Sequence, residues 1–213
     1  GWTRLADMPV GMAKFGVAEA SGKLYVLGGY DTSRSVMVYD IASDSWRNGP
    51  ALPRGSDNVA ALAANGRVYA LGGEASNALQ ILDTATDSWS AGPALPVRRF
   101  ASAAGLLNGR LHLVGGWNLD NAASVSLASQ GAFDLASQSW LATPLAPLQT
   151  ARNAAAAAVL DGKLFVIAGR SPGIRAADQQ PLGSVEVYTP GSDSWASAAA
   201  LPTARGSLAA AAL

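Results

Sequence analysis

A segment that ends in Trp occurs four times along this chain of 213 residues. It reads VYDIASDSW, ILDTATDSW, AFDLASQSW and VYTPGSDSW, and in each copy the Trp follows seven residues after an aromatic or Leu position. The four Trp residues are spaced 43 to 55 residues apart and are Trp46, Trp89, Trp140 and Trp195. A repeat of this length indicates one supersecondary unit per copy, stacked against its neighbours.

Each copy of the repeat is predicted to form four short strands. A small, apolar first strand leads through an SG, NG or DG turn into a second strand that ends in a small-Gly pair, as in KLYVLGG. Such turns favour tight hairpins. The third strand ends in the aromatic position, and the fourth carries the Trp. The run 154–158 has the Ala content of a helix, but it occupies the register of the other first strands, so we expect a strand.

Most of the length variation falls in one connection, after the small-Gly pair. The pair lies 26 to 28 residues after the preceding Trp, whereas the aromatic position follows the second Gly by 10, 9, 17 and 19 residues. Segments of constant length pack, and segments of variable length form surface loops. The stretches 117–130 and 170–184 are therefore predicted to be exposed loops.

The paired Gly, followed by Tyr and Trp at fixed spacing, resembles the kelch repeat over nearly the whole chain. The resemblance implies an all-β fold, a kelch-type β-propeller in which four-stranded blades surround a channel. Four complete blades are expected at about 13–47, 56–90, 99–141 and 152–196, with incomplete strands at 1–12 and 205–213. We expect residues 1–213 to be a single propeller domain or a portion of one. A compact ring with a reduced fifth blade, or closure by a missing chain segment or a partner chain, remains the alternative.

Composition limits the chemistry that this chain can perform. The formal net charge is zero, and there is no Cys and only one His. Zero net charge argues against nucleic acid bound by bulk attraction, and without Cys there are no disulfides, thiolate metal sites or Cys nucleophiles. His112 fills the strand position taken elsewhere by Tyr25, Tyr69 and Phe165, so we expect it to pack in the core. No cofactor, metal or membrane span is predicted; secreted, periplasmic and cytoplasmic locations all stay open.

The connections of an antiparallel blade divide the charged residues between two edges. Connections 2–3 and 4–1 share one edge, which we call the loop edge, and basic residues outnumber acidic ones there. Because an Arg fork can grip a carboxylate through two hydrogen bonds, we expect a protein or an anionic or sugar-like ligand at this edge. The candidate binding residues are Lys14, Arg54, Asn58, Glu74, Arg98, Arg99, Trp117, Asp120, Arg152, Arg170, Arg175, Asp178 and Arg205.

Several of these candidates have a second interpretation. An Arg after the Pro-containing turn can serve to bond loop carbonyls instead of a ligand, which applies to Arg54, Arg99, Arg152 and Arg205. Trp117 lies outside the Trp position of the repeat, and it could stack on a sugar or a partner side chain or cover its own loop.

The kelch resemblance implies a non-catalytic binding or scaffolding module, an expectation that rests on fold analogy. The alternative is a sugar-active enzyme resembling a sialic acid (N-acetylneuraminate) mutarotase or epimerase, because Arg54 with Glu74 and Arg170 with Asp178 combine basic and acidic groups. Kelch oxidases that use a copper radical need a Cys, which this sequence lacks. No catalytic residue is assigned.

Overall fold

The computed structural model describes residues 1–31, 33–74, 76–118, 125–173 and 178–212, and these residues form an all-β structure. Four antiparallel sheets of four strands lie in two compact units, Gly1–Ala94 and Leu95–Leu213, with two sheets in each unit. We call the sheets blades 1 to 4 in chain order. None of the described segments forms a helix that could cross a membrane. The prediction of an all-β fold is confirmed.

The first unit contains blades 1 and 2, in which neighbouring strands are consecutive in the sequence. Blade 1 consists of β1 (Phe15–Ala20), β2 (Lys23–Gly28), β3 (Val36–Asp40) and β4 (Ser45–Asn48). Blade 2 consists of β5 (Ala60–Ala64), β6 (Arg67–Leu71), β7 (Leu79–Asp83) and β8 (Ser88–Ala91).

The second unit contains blades 3 and 4 and one additional pair of short strands. Blade 3 consists of β9 (Ala103–Leu107), β10 (Arg110–Val114), β13 (Gln130–Asp134) and β14 (Ser139–Trp140). Blade 4 consists of β15 (Ala156–Leu160), β16 (Lys163–Ile167), β17 (Val185–Thr189) and β18 (Ser194–Ala198). The additional pair, β11 (Trp117–Asn118) and β12 (Val125–Ser126), lies in the long connection of blade 3.

Tight turns join the first two strands of every blade, as the turn residues predict. Both residues of each turn have positive φ, for example 53° at Ser21 and 74° at Gly22, which is the geometry of a type I′ turn. The Ala-rich run forms strand β15 and not a helix. Its hairpin register with β16 pairs Ala156 with Ile167 and Leu160 with Lys163.

Small residues in the first strands allow neighbouring blades to pack closely. A Cβ atom at Gly16 of β1 would lie 2.8 Å from the carbonyl oxygen of Val59 and 2.9 Å from the Cβ of Ala61. In the second unit, a Cβ at Gly105 of β9 would lie 2.6 Å from a methyl carbon of Leu164. Larger side chains at these positions would overfill a close-packed interior.

The repeated DSW segment holds the chain that precedes its own blade. In blade 1, Asp44 Oδ1 accepts the N–H of Ala6 at 2.7 Å, and Trp46 Nε1 donates to the carbonyl of the same residue at 3.0 Å. The hydroxyl of Tyr39 donates to the same Asp44 oxygen at 2.6 Å. We call this arrangement of Tyr, Asp and Trp around one backbone residue the DSW clasp.

Blade 4 repeats the DSW clasp with equivalent residues. Asp193 Oδ1 accepts the N–H of Ala146 at 3.0 Å, and Trp195 Nε1 donates to the Ala146 carbonyl at 2.9 Å. Tyr188 donates its hydroxyl to Asp193 Oδ1 at 2.7 Å. Two independent copies in one chain show that the repeated letters encode a contact between successive repeats.

Blade 2 keeps only the Trp half of the clasp. Trp89 Nε1 donates to the carbonyl of Pro50 at 2.8 Å, and Pro has no N–H to offer an Asp. Asp87 instead forms a salt bridge with Arg47 of blade 1 at 3.1 Å, and Leu82 replaces the Tyr. Because Pro50 has no N–H to donate, Asp87 pairs with a side chain of blade 1 instead of with the backbone.

The four repeated Trp side chains differ in burial. Trp195 is 9% exposed, whereas Trp46, Trp89 and Trp140 are half-buried. Trp89 packs against the hydrophobic core of the first unit and also makes the indole hydrogen bond to Pro50. The recurring Trp therefore combines apolar packing with a directed hydrogen bond.

Replacing Trp89 with Ala should lower the free energy of unfolding by about 3 kcal/mol, the lower end of the range for a buried Trp, because part of the indole is exposed. Chemical denaturation measures this loss. Trp89→Phe is the control: it keeps most of the packing and loses the hydrogen bond to Pro50, at a cost of about 1 kcal/mol. A loss below about 1 kcal/mol for Trp89→Ala would contradict this role.

The DSW clasp also predicts a pH effect. The hydrogen bond from Tyr39 lowers the pKa of the Asp44 carboxyl, with help from the Ala6 N–H, and the bond to Asp44 raises the pKa of Tyr39 to about 12. The stabilisation from Asp44 is thus present above the pKa that its carboxyl has in the unfolded chain, and it is lost as pH falls through the lowered pKa of the folded state. The stabilisation from Tyr39 is lost at the other end of the scale, as pH rises toward the raised pKa of the phenol.

We expect Tyr39→Phe to raise the Asp44 pKa toward its ordinary value, which an NMR titration of the side-chain carboxyl carbon measures. Asp83 is the internal control, since the N–H groups of Ala85 and Thr86, not a Tyr, lower its pKa. An unchanged Asp44 pKa in Tyr39→Phe would show that the phenol does not stabilise the carboxylate.

Candidate functional site

The backbone N–H of the residue directly after each Gly pair donates to an equivalent carbonyl in every blade. We call Tyr30, Glu74, Trp117 and Arg170 the post-glycine positions. Their N–H groups donate to the carbonyls of Ala13, Asp57, Phe100 and Asn153, at 3.0, 3.1, 2.8 and 2.8 Å respectively. These bonds tie the start of each 2–3 connection to the end of the preceding 4–1 connection. The parity of the strands thus brings both connections to the loop edge.

A second set of equivalent residues at this edge has left-handed backbone geometry. We call Lys14, Asn58, Ala101 and Ala154 the left-handed positions, and their φ angles lie between 49° and 60°. Non-glycine residues adopt this conformation only at a cost that the surrounding structure offsets. Within each unit the left-handed positions are bonded to one another: the N–H of Asn58 donates to the Lys14 carbonyl at 2.7 Å, and that of Ala154 donates to the Ala101 carbonyl at 2.8 Å.

Blades 1 and 2 place a polar cluster at the loop edge of the first unit. Lys14 Nζ lies 3.5 Å from Asp57 Oδ2 and 4.8 Å from the ring centre of Tyr30. The Asp57 residue is only 5% exposed, and its Oδ1 has no hydrogen-bond partner among the described residues. Lys14 is therefore held by an ion pair and a cation–π contact, next to a buried acceptor with unused capacity.

The second unit places an aromatic pair at the corresponding positions. Trp117 is stacked on Phe100, with ring centres 5.7 Å apart and planes 29° apart, and the backbones of the two residues also pair. Trp117 is half-buried, so part of the indole stays accessible. The neighbouring Asn118 donates its side-chain amide to the carbonyl of Arg98 at 2.8 Å, which positions the Arg98 backbone.

Arg170 and Arg205 meet at the loop edge of blade 4. The N–H of Gly169 donates to the Arg205 carbonyl at 2.9 Å, and the side chain of Arg170 lies against Gly206, where a Cβ would be 2.6 Å from the Arg170 Cγ. Arg205 is exposed and donates from Nε to the Thr203 carbonyl at 3.3 Å. The Arg170 side chain thus lies next to the backbone that carries Arg205.

Arg99 and Arg152 are placed in the interior and not at the surface of the loop edge. They are 4% and 1% exposed, and both guanidinium groups bond loop carbonyls: Arg99 bonds those of Gly115 and Ser129, and Arg152 those of Ala168 and Ser184. Both guanidinium groups therefore make the bonds to loop carbonyls that the second interpretation expects.

The other candidates occupy separate places. Arg54 has an exposed side chain, and its backbone N–H and carbonyl are both bonded by the amide of Gln80. Asp178 is exposed, and Glu74 is half-buried. Asp120 and Arg175 lie outside the described residues.

Tyr30, Asp57 and Phe100 belong to the loop edge but were not among the candidate binding residues. Their positions in the repeat carry the signal, since Tyr30 aligns with Trp117 and Arg170, and Asp57 and Phe100 each precede a left-handed position. The residue types of Tyr30 and Phe100 did not identify them as loop-edge residues, because Tyr and Phe also fill the core positions of this repeat.

His112 is buried and packs in the core of the second unit. It is 3% exposed, its ring centre lies 5.7 Å from that of Tyr188, and burial lowers its pKa. Within the described ranges, no group of three or more His, Asp or Glu side chains could hold a metal ion.

Comparisons with known proteins agree with this architecture. The Kelch motif matches residues 13–53 and 151–202. Mouse Kelch-like protein 36 is 40% identical over 65 residues, which are 28% of this chain and 11% of that protein. Mouse Kelch-like protein 40 is 25% identical over 213 residues, which are 97% of this chain and 26% of that protein. The chain therefore spans about a quarter or less of the length of these relatives.

A solved structure has the same fold at low sequence identity. The structure of YjhT superimposes with a TM-score of 0.78 and 17% identity, and the alignment covers 95% of this chain and 69% of that chain. Four antiparallel blades, the Gly pair and the DSW segment agree with the motif match and with this superposition. The chain thus contains kelch motifs and has the fold of a kelch-type β-propeller.

Proposed function

We propose that this chain is a non-catalytic binding module that takes a protein or carbohydrate ligand at its loop edge. One observation carries the proposal: the post-glycine positions have the same backbone hydrogen bond in successive blades while their four side chains are all different. A backbone held rigidly by such bonds can present different side chains without loss of the fold, which is how binding residues are arranged on loops of a rigid scaffold.

The side chains at these positions favour a ligand with anionic or hydroxyl groups. In the second unit, Arg170 and Arg205 supply cationic donors and Trp117 supplies a partly accessible aromatic face; the first unit by itself offers Lys14. An aromatic face and Arg forks together suit a sugar with a carboxylate or an acidic segment of a protein. The kelch-like relatives support a binding role in general.

A sugar-active enzyme is the second candidate, and Asp57 is the observation that favours it. A carboxylate that is 5% exposed, with Lys14 beside it and one oxygen unbonded among the described residues, offers the unused acceptor oxygen that a general base needs. Such an enzyme would accelerate the exchange between the anomers of N-acetylneuraminate, which proton NMR detects directly. Unchanged exchange in the presence of the protein would eliminate this candidate.

The binding proposal is tested with N-acetylneuraminate and an acidic peptide as probes in isothermal titration calorimetry. Arg170→Lys should weaken binding of at least one probe by about tenfold, despite the retained charge, because Lys cannot make two parallel bonds to a carboxylate. Trp117→Ala should weaken it as well.

Arg67→Lys is the matched control, since Arg67 is exposed at the opposite end of its blade, directly after the β5–β6 turn. It should leave the affinity unchanged. Equal losses in Arg67→Lys and Arg170→Lys, or affinities that neither Arg170→Lys nor Trp117→Ala alters, would show that the ligand does not bind at the loop edge.

A further inference from the structure

Arg152 of the second unit is a buried cation with a complete set of partners. Its Nη1 donates to the carbonyls of Ala168 and Ser184, both at 3.0 Å, and its Nη2 donates to the Ser184 hydroxyl at 3.0 Å. The Nη2 group also donates to the carboxylate of Glu186, which is itself 2% exposed. A buried guanidinium is tolerated when a carboxylate of this kind balances its charge.

Arg99 repeats these contacts but lacks the carboxylate. Its Nη1 donates to the carbonyls of Gly115 and Ser129, and its Nη2 donates to the Ser129 hydroxyl, at 3.0, 2.7 and 3.0 Å. Within the part of the chain that the structure describes, no acidic side chain forms a salt bridge with Arg99. One Nη2 hydrogen, which in Arg152 binds Glu186, has no such partner in Arg99.

The repeat register identifies the residue that stands in place of the missing acid. Glu186 lies two residues before Tyr188, the aromatic position of blade 4, and Gly131 lies two residues before Phe133, the aromatic position of blade 3. The φ of Gly131 is not in the left-handed region, so glycine is not required there by the backbone. A Cβ at Gly131 would meet only Trp140, at 3.6 Å.

The other two blades show that the acid and the Arg belong together. The positions equivalent to Arg152 and Glu186 are Ser56 and Gln80 in blade 2, and Met12 and Met37 in blade 1. Neither of those blades has the Arg, and neither has the acid. Among the four blades, only blade 3 therefore buries the cation without its carboxylate.

A cavity of about 210 Å³ occupies the space next to Gly131, and Arg99 contributes to its wall. This volume is far above the roughly 10–15 Å³ that one water requires. Most of the remaining lining is apolar. It includes Leu95, Val97, Leu113, Trp140, Leu141 and Leu145.

We propose that this cavity binds the carboxylate of a small aliphatic acid, which takes the place beside Arg99 that the Glu186 carboxylate takes beside Arg152. The charge-assisted hydrogen bond to the buried guanidinium fixes the carboxylate, and the apolar walls accommodate a short hydrocarbon chain. Connections of the loop edge contribute to the lining of this cavity, but none of the post-glycine or left-handed positions does, so the proposal does not depend on the function proposed above.

The electrostatics of the two arginines agree with this assignment. Burial lowers the pKa of Arg99 to about 10. Burial also lowers the pKa of Arg152, but there the charge and hydrogen bond of Glu186 act in the opposite direction. A bound carboxylate would provide the same compensation for Arg99.

Isothermal titration calorimetry with sodium butyrate tests the site, with butyramide as the uncharged probe of equal shape and sodium chloride to match the ionic strength. We expect saturable binding of one butyrate per chain, with a dissociation constant on the order of 1 mM, and no binding of butyramide. Equal binding of butyrate and butyramide, or the absence of saturable butyrate binding to the wild-type chain, would overturn the proposal.

Gly131→Glu places the carboxylate in the chain itself and is the decisive variant. It should weaken butyrate binding by at least about tenfold and raise the thermal unfolding midpoint by a few degrees, as a balanced buried charge stabilises the folded state. Gly131→Ala is the matched control, because a methyl group leaves most of the cavity open, and it should still bind butyrate.

Gly131→Gln provides a second test if Gly131→Glu does not fold. It places in blade 3 the residue that blade 2 has as Gln80, fills the same volume without charge and should likewise lose butyrate binding. Butyrate that binds equally well to the wild-type chain and to a folded Glu or Gln variant is bound elsewhere, and the assignment to Arg99 would then be wrong.

Discussion

Successive repeats are joined by a contact in which one carboxylate and one indole hold both polar groups of a single backbone residue. Asp44 and Trp46 hold Ala6 in this way, and Asp193 and Trp195 hold Ala146. Each blade is a small sheet whose faces must be covered by its neighbours, and packing alone does not specify how far one blade slides along the next. The DSW clasp supplies that specification, because its bonds form at one register only. Where Pro50 removes the N–H, blade 2 keeps the indole bond and moves its Asp to a salt bridge.

The backbone of the loop edge is bonded both within and between blades. The N–H group after each Gly pair donates to the carbonyl before the left-handed position of the same blade, and within each unit the left-handed positions of neighbouring blades are bonded to each other. The backbone of this edge is then saturated with hydrogen bonds, so the side chains of Lys14, Glu74, Trp117 and Arg170 do not have to stabilise it. Their variety is compatible with one fold for that reason, and it is the basis on which we propose recognition at this edge.

The two buried arginines make the same hydrogen bonds but differ in whether a carboxylate balances their charge. Arg99 and Arg152 make matching bonds to loop carbonyls, so both support the connections of their blades. Only Arg152 has an internal anion, and the position that would supply one to Arg99 is Gly131. An unbalanced buried charge is costly. In blade 3, where Gly131 has no side chain, there is a cavity instead, and the Arg99 guanidinium is fixed at its wall.

Local patterns in the sequence were sufficient to determine the strands of the four blades, the tight hairpins, the strand nature of the Ala-rich run and the kelch-type fold, because alternation, turn chemistry and repeat spacing act over a few residues. They did not indicate β11 and β12 in the stretch 117–130, which was predicted to be an exposed loop. The same spacing located the loop edge, but it did not separate its exposed residues from buried ones. Only the tertiary structure decided that Arg99 and Arg152 are interior, that Trp117 stacks on Phe100 and that Asp57 lies beside Lys14. These contacts join residues 17 to 43 positions apart in the chain. Such contacts depend on how strands pair and how neighbouring blades pack, which no local pattern encodes.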